Sequence, residues 1–229
     1  MEEAFKKLSN KAISEFGLFF SVIPKIFGAP KKFFASIDES HETFIRASSF
    51  ALVVSCVFVL LSIPSYKING ISIGSELLLI NIFFNWLLFL IYGILVWLSC
   101  LIVLGKSRIT KCLSAFFYSC SILVIVKFLE IPARITRDNV LSNAELTSDI
   151  PEKMTEAVSS NPYSFASEIM VGLGYVWFLA VLVILVRETH RFGWFRSILA
   201  ALIAILSISL AVSWIQRPIT HALLSAFIN

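Results

Sequence analysis

The chain has few charged residues for its size, and it has few cysteines, prolines and glycines. Of its 229 residues only 15% are charged, against about 25% in soluble domains. The same composition excludes a disordered chain, collagen, a coiled coil and a disulfide-stapled secreted domain. The four cysteines, Cys56, Cys100, Cys112 and Cys120, lie in or beside apolar runs without Cys-x-x-Cys spacing. We expect small buried hydrophobes there, rather than a zinc or redox site.

Apolar residues dominate what is present. Hydrophobic residues make up 58% of the chain, phenylalanine alone supplies 21 residues, and the mean hydropathy is +0.86. A chain of this length cannot hide so much apolar surface from water in one soluble core. The sequence therefore predicts a polytopic membrane protein.

Five apolar stretches approach the ~20 residues that a helix needs to cross ~30 Å of hydrocarbon. None shows the alternation of a barrel strand, so each is predicted to be a helix and the fold to be all-α. The predicted spans are 47–64, 77–104, 112–131, 169–186 and 198–215, within a transmembrane domain of residues 47–217.

Most lysines and arginines lie in residues 1–46 and in the connections after the second and fourth spans. Because cytoplasmic segments carry this excess, the N-terminus is predicted to be cytoplasmic and the C-terminus outside. An acidic loop, 132–168, and a short tail, 218–229, are then external. Within the loop, Pro151–Val158 is predicted to form a short helix that Asn161-Pro162 would end.

Residues 1–46 form a cytoplasmic amphipathic arm, in which residues 4–23 place aromatic and aliphatic side chains on one helical face. Such a helix suits the headgroup layer; the alternative is packing against the protein's own cytoplasmic face. Basic residues in the arm and after the fourth span are candidate contacts for anionic lipid. They are Lys6, Lys7, Lys11, Lys31, Lys32, Arg187, Arg191 and Arg196.

Polar residues recur on one face of two spans. In the second span they are Asn81, Asn85, Tyr92 and Ser99, and in the third Ser114, Tyr118 and Ser121. Spacings of three, four and seven residues keep such side chains on one helical stripe. The stripe is either a packing surface between helices or the wall of a hydrated crevice for a substrate or lipid headgroup.

Charged residues near the predicted external edge of the membrane are expected to form ion pairs or to lie at helix N-termini. Lys127, Glu130 and Arg134 share a face and predict an ion-pair ladder, with a charge pair lining a transport path as the alternative. Glu76 and Glu168 are expected near helix N-termini, where the helix dipole favours a carboxylate.

Catalytic and cofactor motifs are absent from the sequence. His41, His190 and His221 are scattered, and the predicted topology separates His221 from the other two, so they predict no common metal site. The basic and aromatic connection 187–196 is too short for a nucleic-acid surface and is interpreted as an interfacial anchor. We expect no enzyme activity, no cofactor and no nucleic-acid partner.

Several short motifs resemble the Yip family, the Ypt/Rab-interacting membrane proteins, and especially its bacterial members. They are Phe27-Gly28-Ala29-Pro30-Lys31-Lys32-Phe33-Phe34, Arg46 before the first span, Gly105-Lys106, and Ala115-Phe116-Phe117-Tyr118-Ser119 in the third span. The third span lacks the proline of that family's helix, although Pro132 follows. The resemblance implies a five-helix membrane fold in a bacterial inner membrane, and eukaryotic members are associated with vesicle traffic and small GTPases. It implies no catalytic residue.

Two functional hypotheses follow. The first is a non-enzymatic membrane protein that organises or shapes membrane or acts as an adaptor, with lipids, anionic headgroups, protein partners or a second copy as its partners. The second is a permease or lipid-translocating subunit that uses the polar stripe of the second span. An intramembrane enzyme is the least favoured alternative.

Overall fold

The computed structural model describes residues 17, 20–143 and 149–225. The described residues are 88% helical and contain no strand, so the predicted all-α class is confirmed. The helices are α1 (20–28), α2 (Pro30–Ala35), α3 (His41–Leu60), α4 (Ile63–Ile68), α5 (Ser75–Ile102), α6 (Ile109–Asn143), α7 (Ile150–Ser160), α8 (Pro162–His190), α9 (Trp194–Ala211) and α10 (Arg217–Ser225), with a π-helical turn at Val212–Gln216.

Among the described residues, five helical segments are long and apolar enough to cross a membrane, which confirms the predicted number of spans. They are His41–Ile68, Ser75–Ile102, Ile109–Ser142, Pro162–His190 and Trp194–Leu223. Each extends beyond its predicted apolar run at one end or both. The limits of the bilayer along these helices, and the sides on which the termini lie, stay predictions.

Helix α6 is the centre of the bundle. In its most apolar window 72% of the residues are buried inside the protein, compared with 33% or less in the other four spans. Phe116 and Phe117 are almost completely buried between α6 and its neighbours. A helix that faces protein on all sides needs less apolar sequence than one that faces lipid. This explains why the central span has the shortest uncharged run.

The same helix continues through Pro132, where the sequence predicts the external loop to begin. Proline cannot donate to the helical ladder and pushes away the preceding turn. Helix α8 supplies hydroxyl donors at this position: Ser167 donates to the carbonyl oxygen of Leu129, and Ser164 donates to that of Pro132 at 3.3 Å. Neighbouring donors of this kind let a membrane helix tolerate an internal proline.

From residue 149 onward, the described part of the connection after α6 contains the predicted short helix as α7. Asn161 accepts hydrogen bonds from the backbone N–H groups of Tyr163 and Ser164 at 3.0 and 3.3 Å, so it begins α8 as an N-cap. Because α8 begins at Pro162, the expectation that Glu168 lies at a helix N-terminus is wrong. Glu168 instead pairs with Arg137 of α6 at 3.1 Å.

The described part of the arm packs against the bundle. Ile26 of α1 and Phe34 of α2 are fully buried. The ring of Phe27 stacks on Trp177 of α8 with centroids 5.7 Å apart, and Phe33 meets Tyr118 of α6 edge to face at 5.5 Å. Only residues 17 and 20–23 of the helix predicted at 4–23 are described, so the choice between interfacial and packed placement of that helix stays open. The stretch before residue 17, with Lys6, Lys7 and Lys11, lies outside the described residues.

Candidate intramembrane site

A cavity of about 520 Å³ lies between α3, α5, α6, α8, α9 and the π-helical turn. Most of its wall is aliphatic or aromatic, with Phe58, Phe116 and Phe178 among the lining residues. Its polar lining residues are Asn85, Tyr92, Lys127, Glu130, Tyr175, Ser209 and Gln216. A largely apolar cavity with a few convergent polar groups is the usual form of a small-molecule site.

A hydrogen bond between two residues of the cavity wall joins α5 to the π-helical turn. The Tyr92 hydroxyl donates to Oε1 of Gln216 at 2.5 Å. Single π-helical turns often occur at functional sites, because the inserted residue changes the direction of neighbouring side chains. Here the turn follows α9 directly and carries Gln216 to the cavity.

A charge pair lines another part of the same cavity. Lys127 Nζ lies 3.1 Å from Glu130, and their side chains are 14% and 28% exposed. Arg137 also approaches Glu130 at 3.8 Å. The low exposure matters because a charge that has lost its water needs a partner of opposite sign. The arrangement can therefore offer both an ammonium and a carboxylate to a polar ligand.

The predicted ion-pair ladder forms only in part. Lys127 pairs with Glu130 as expected, but Arg134 does not join them. Arg134 Nε instead donates to the hydroxyl of Ser65 at 3.0 Å and lies 3.9 Å from Asp138. Ser65 belongs to α4, whose packing against α6 was not visible in the sequence pattern. Arg134 therefore bonds to Ser65 of another helix instead of pairing with Glu130 on its own helix.

The polar stripe of the second span is divided in the structure. Asn85 and Tyr92 reach the cavity, whereas Asn81 and Ser99 are buried elsewhere along α5. Both donate to their own helix: the Asn81 amide to the Leu77 carbonyl oxygen at 2.9 Å, and the Ser99 hydroxyl to that of Leu95 at 2.7 Å. Back-bonding satisfies these donors without a partner helix.

The third-span residues belong to a different packing region. Ser114 and Ser121 also donate to carbonyl oxygens of their own helix, at 2.8 and 2.7 Å. The ring of Tyr118 lies between Phe33 and Phe50, at 5.5 and 5.1 Å. Tyr118 therefore connects α6 to α2 and α3, and none of the three side chains lines the cavity.

The described cationic candidates differ in their surroundings. Lys31, Lys32, Arg191 and Arg196 are exposed. Arg187 is half-buried, and its guanidinium lies 4.1 Å from the ring centroid of Trp194, in a cation–π contact. Binding of anionic lipid by these residues stays a prediction.

Sequence reasoning missed three polar residues of the cavity, Tyr175, Ser209 and Gln216. Ser209 is a lone small residue within an apolar run, and Gln216 lies one residue beyond the predicted fifth span. Neither position belongs to a polar stripe. The sequence around Gln216 shows only a polar residue next to the charged Arg217. That pattern indicates the end of a span and does not by itself predict a binding site.

The architecture and the sequence agree with one protein family. Residues 25–215 match the family model described as the Yip1 domain, which includes all five long helices in part or in full. No curated protein and no solved structure matches the chain. The family match covers most of the chain, and the helices make it a multi-pass integral membrane protein. The chain therefore belongs to the Yip1 domain family.

Proposed function

We propose that this protein is a non-enzymatic membrane protein that shapes or organises its bilayer through the arm formed by α1 and α2. The carrying observation is the arm's packing against α6 and α8, with Ile26 and Phe34 fully buried. This packing fixes the two short helices of the arm to the bundle instead of leaving them free. A rigid addition on one side of a membrane domain enlarges its cross-section in one leaflet.

Contacts at the end of the arm support its placement on the predicted cytoplasmic side. Arg108 Nε lies 3.3 Å from Glu39, and the Thr110 hydroxyl donates to the Glu39 carbonyl oxygen at 3.4 Å. An exposed ion pair adds little stability. It does, however, place the connection between α2 and α3 beside the beginning of α6, which the positive-inside rule assigns to the cytoplasm.

The outer surface of the arm suits anionic lipid. Lys25, Lys31 and Lys32 are exposed, and the Phe20 ring is 69% exposed. Aromatic rings that enter the acyl boundary and ammonium groups that meet anionic headgroups are typical of interfacial helices. Each such lysine contributes on the order of 1 kcal/mol near an anionic surface.

Reconstitution of the full chain into vesicles tests this proposal. We expect the protein to reduce vesicle diameter in membranes with anionic lipid, as measured by cryo-electron microscopy. The triple variant Lys25→Gln, Lys31→Gln, Lys32→Gln should have a weaker effect. A matched control changes three exposed cations on the predicted opposite side, Lys67→Gln, Lys153→Gln and Arg217→Gln, and should behave as wild type.

Equal vesicle diameters with and without the protein would defeat the shaping role. Unchanged vesicle shape combined with loss of partner recruitment in the arm variant would favour an adaptor role instead. Vesicle diameter and partner recruitment are measured on the same reconstituted protein. A difference in the amount of inserted protein therefore cannot explain a change in only one of them.

A second candidate function is the binding or translocation of an amphiphile, favoured by the cavity that holds the Lys127–Glu130 pair. An apolar wall with an ion pair and the Tyr92–Gln216 hydrogen bond matches a molecule with an acyl part and a polar head. Cysteines introduced as Asn85→Cys and Gln216→Cys should react with a water-soluble maleimide above the parent level. Leu206→Cys is the control, because Leu206 is 64% exposed on the apolar outside of α9. Lack of reaction at both cavity positions would exclude a hydrated pathway.

A further inference from the structure

Three side chains with metal-binding atoms meet where α5, α6 and α8 have adjacent ends. Cys100 lies in the last turn of α5, Cys112 in the first turn of α6, and His190 is the final residue of α8. Their ligand atoms all lie within 4.8 Å of one another. The cysteines are fully buried and His190 is 7% exposed. Three helices thus bring together residues that the sequence analysis treated as inert or scattered.

The His190 ring has one nitrogen with a partner and one without. The backbone N–H of Ser107 donates to Nδ1 at 3.3 Å. The other nitrogen, Nε2, is buried and has no hydrogen-bond partner among the residues that the structure describes. Leaving a buried polar atom unpaired is costly, so such an atom in a native site calls for a ligand or another explanation. Nε2 is therefore available as a ligand atom.

The connection between α5 and α6 is shaped for close approach to this ring. Leu104 takes the left-handed conformation with φ 67°, and Gly105 N–H donates to the Cys100 carbonyl oxygen at 2.8 Å. A β-carbon at position 105 would lie 2.5 Å from His190 Nδ1. Glycine thus occupies the position against the ring, while leucine adopts the conformation that glycine usually takes at a helix end.

We propose that Cys100, Cys112 and His190 form a binding site for a thiophilic metal ion, with Zn²⁺ as the preferred occupant. Zinc lies ~2.0–2.3 Å from imidazole nitrogen and thiolate sulfur. A tetrahedral arrangement at such distances separates the ligand atoms by roughly 3.5–3.8 Å, which the 4.8 Å limit on their separations here allows. Three protein ligands leave the fourth tetrahedral position open for water or another ligand.

Charge balance favours zinc over copper(I). Two thiolates and a neutral imidazole compensate the two positive charges of Zn²⁺ completely, whereas Cu⁺ would leave a net negative charge. A buried net charge at the edge of a membrane domain is unfavourable. The two thiols bind as thiolates, so loading releases two protons and transfers no electrons.

Binding through Nε2 also changes the connection between α5 and α6. In the metal-free ring Nδ1 accepts from Ser107, so the neutral imidazole carries its proton on Nε2. Coordination at Nε2 requires that proton to move to Nδ1, where it faces the Ser107 N–H. The 3.3 Å contact then opens. Hydrogen exchange of the Ser107 amide should consequently increase in the loaded protein.

Metal titration of the full chain in detergent tests the site. Chelator-treated protein should bind one equivalent of Zn²⁺ in competition with a chromophoric chelator, and Co²⁺ should give thiolate-to-cobalt absorption. Cys100→Ser and Cys112→Ser should each weaken binding by more than about tenfold. Cys56→Ser and Cys120→Ser are matched controls outside the cluster and should bind as wild type. Equal affinity in all four variants, or binding of Cu⁺ without Zn²⁺, would overturn the zinc assignment.

A measurement on the unmodified chain avoids any effect of substitution on folding. Zn²⁺ should protect Cys100 and Cys112, but not Cys56, from alkylation by a small membrane-permeant reagent, with peptides identified by mass spectrometry. Identical alkylation with and without Zn²⁺ would contradict the proposal.

Discussion

Gly105 lies directly against His190, although the two residues are far apart in the sequence. A β-carbon built on Gly105 would lie 2.5 Å from His190 Nδ1 and 2.8 Å from the Cys100 carbonyl oxygen. Neither distance is compatible with an ordinary contact. The end of α5 can therefore pack against the end of α8 only when residue 105 has no side chain.

Gly105→Ala should destabilise the protein by about 1–3 kcal/mol, the usual cost of overpacking a filled site. Part of the clash is with backbone, which cannot move away as a flexible side chain can. The measurement is thermal unfolding in detergent. Gly172→Ala is the control, since a β-carbon there meets no atom within 4 Å and alanine is the better helix former. Equal loss of stability in both variants would show that the contact with His190 is unimportant.

Leu104→Gly should stabilise the same connection. Leu104 has φ 67°, a left-handed conformation that costs an L-residue roughly 1–2 kcal/mol and glycine very little. Its side chain is 71% exposed, so removal gives up little buried surface. A higher unfolding temperature for Leu104→Gly is the expected result, whereas a lower one would mean that lipid contact of the leucine outweighs the strain.

The Tyr92–Gln216 hydrogen bond connects α5 to the π-helical turn. Tyr92→Phe should cost about 0.5–1.5 kcal/mol, the usual net contribution of one hydrogen bond. A double-mutant cycle with Gln216→Leu isolates the pair: if the two groups interact as the geometry indicates, the double variant loses less than the sum of the single variants. Strict additivity in the unfolding free energies would rule out the interaction.

The sequence predicted the features that depend on hydropathy along a single helix. The number of spans and the all-α class follow from the length of apolar runs in relation to bilayer thickness. By contrast, the continuation of α6 through Pro132 depends on hydroxyl donors from Ser164 and Ser167 of another helix. The local sequence around Pro132 does not predict such donors, because they come from a segment about thirty residues later.

The candidate sites show the same division. Asn85 and Tyr92 were identified because they share a helical stripe, and both line the cavity. Gln216 and the group of Cys100, Cys112 and His190 were missed because each depends on where helix ends meet. Caps and short connections determine where helices end. The spacing of residues along one helix does not predict which helix ends meet.

Asp38 should make the beginning of α3 sensitive to acid. It accepts hydrogen bonds from the hydroxyl and the backbone N–H of Ser40, the N-cap of α3, and these bonds lower the pKa of Asp38 to about 2. Because the folded pKa is depressed, the stabilisation is complete above the ordinary value near 4. It decreases as the pH falls towards 2. Carbon-detected NMR of the Asp38 carboxyl should show this midpoint, and Ser40→Ala should shift it upward. An unshifted midpoint near 4 in the wild-type chain would contradict the assignment.

Lys127 and Glu130 should respond unequally to removal of one partner. Glu130→Gln leaves the Lys127 ammonium, whose side chain is 14% exposed, without its 3.1 Å partner. Removing one member of a well-buried pair costs about 3–5 kcal/mol, and partial exposure of Glu130 reduces the expectation to roughly 1–3 kcal/mol. Lys127→Gln should cost less, because Glu130 keeps Arg137 at 3.8 Å. In the double variant Lys127→Met, Glu130→Gln, no unpaired charge remains, so stability should recover relative to Glu130→Gln alone. Unfolding measured by thermal denaturation in detergent distinguishes the cases. A double variant less stable than Glu130→Gln would mean that other contacts stabilise Lys127, such as the Phe58 ring, whose centroid lies 5.7 Å from Nζ.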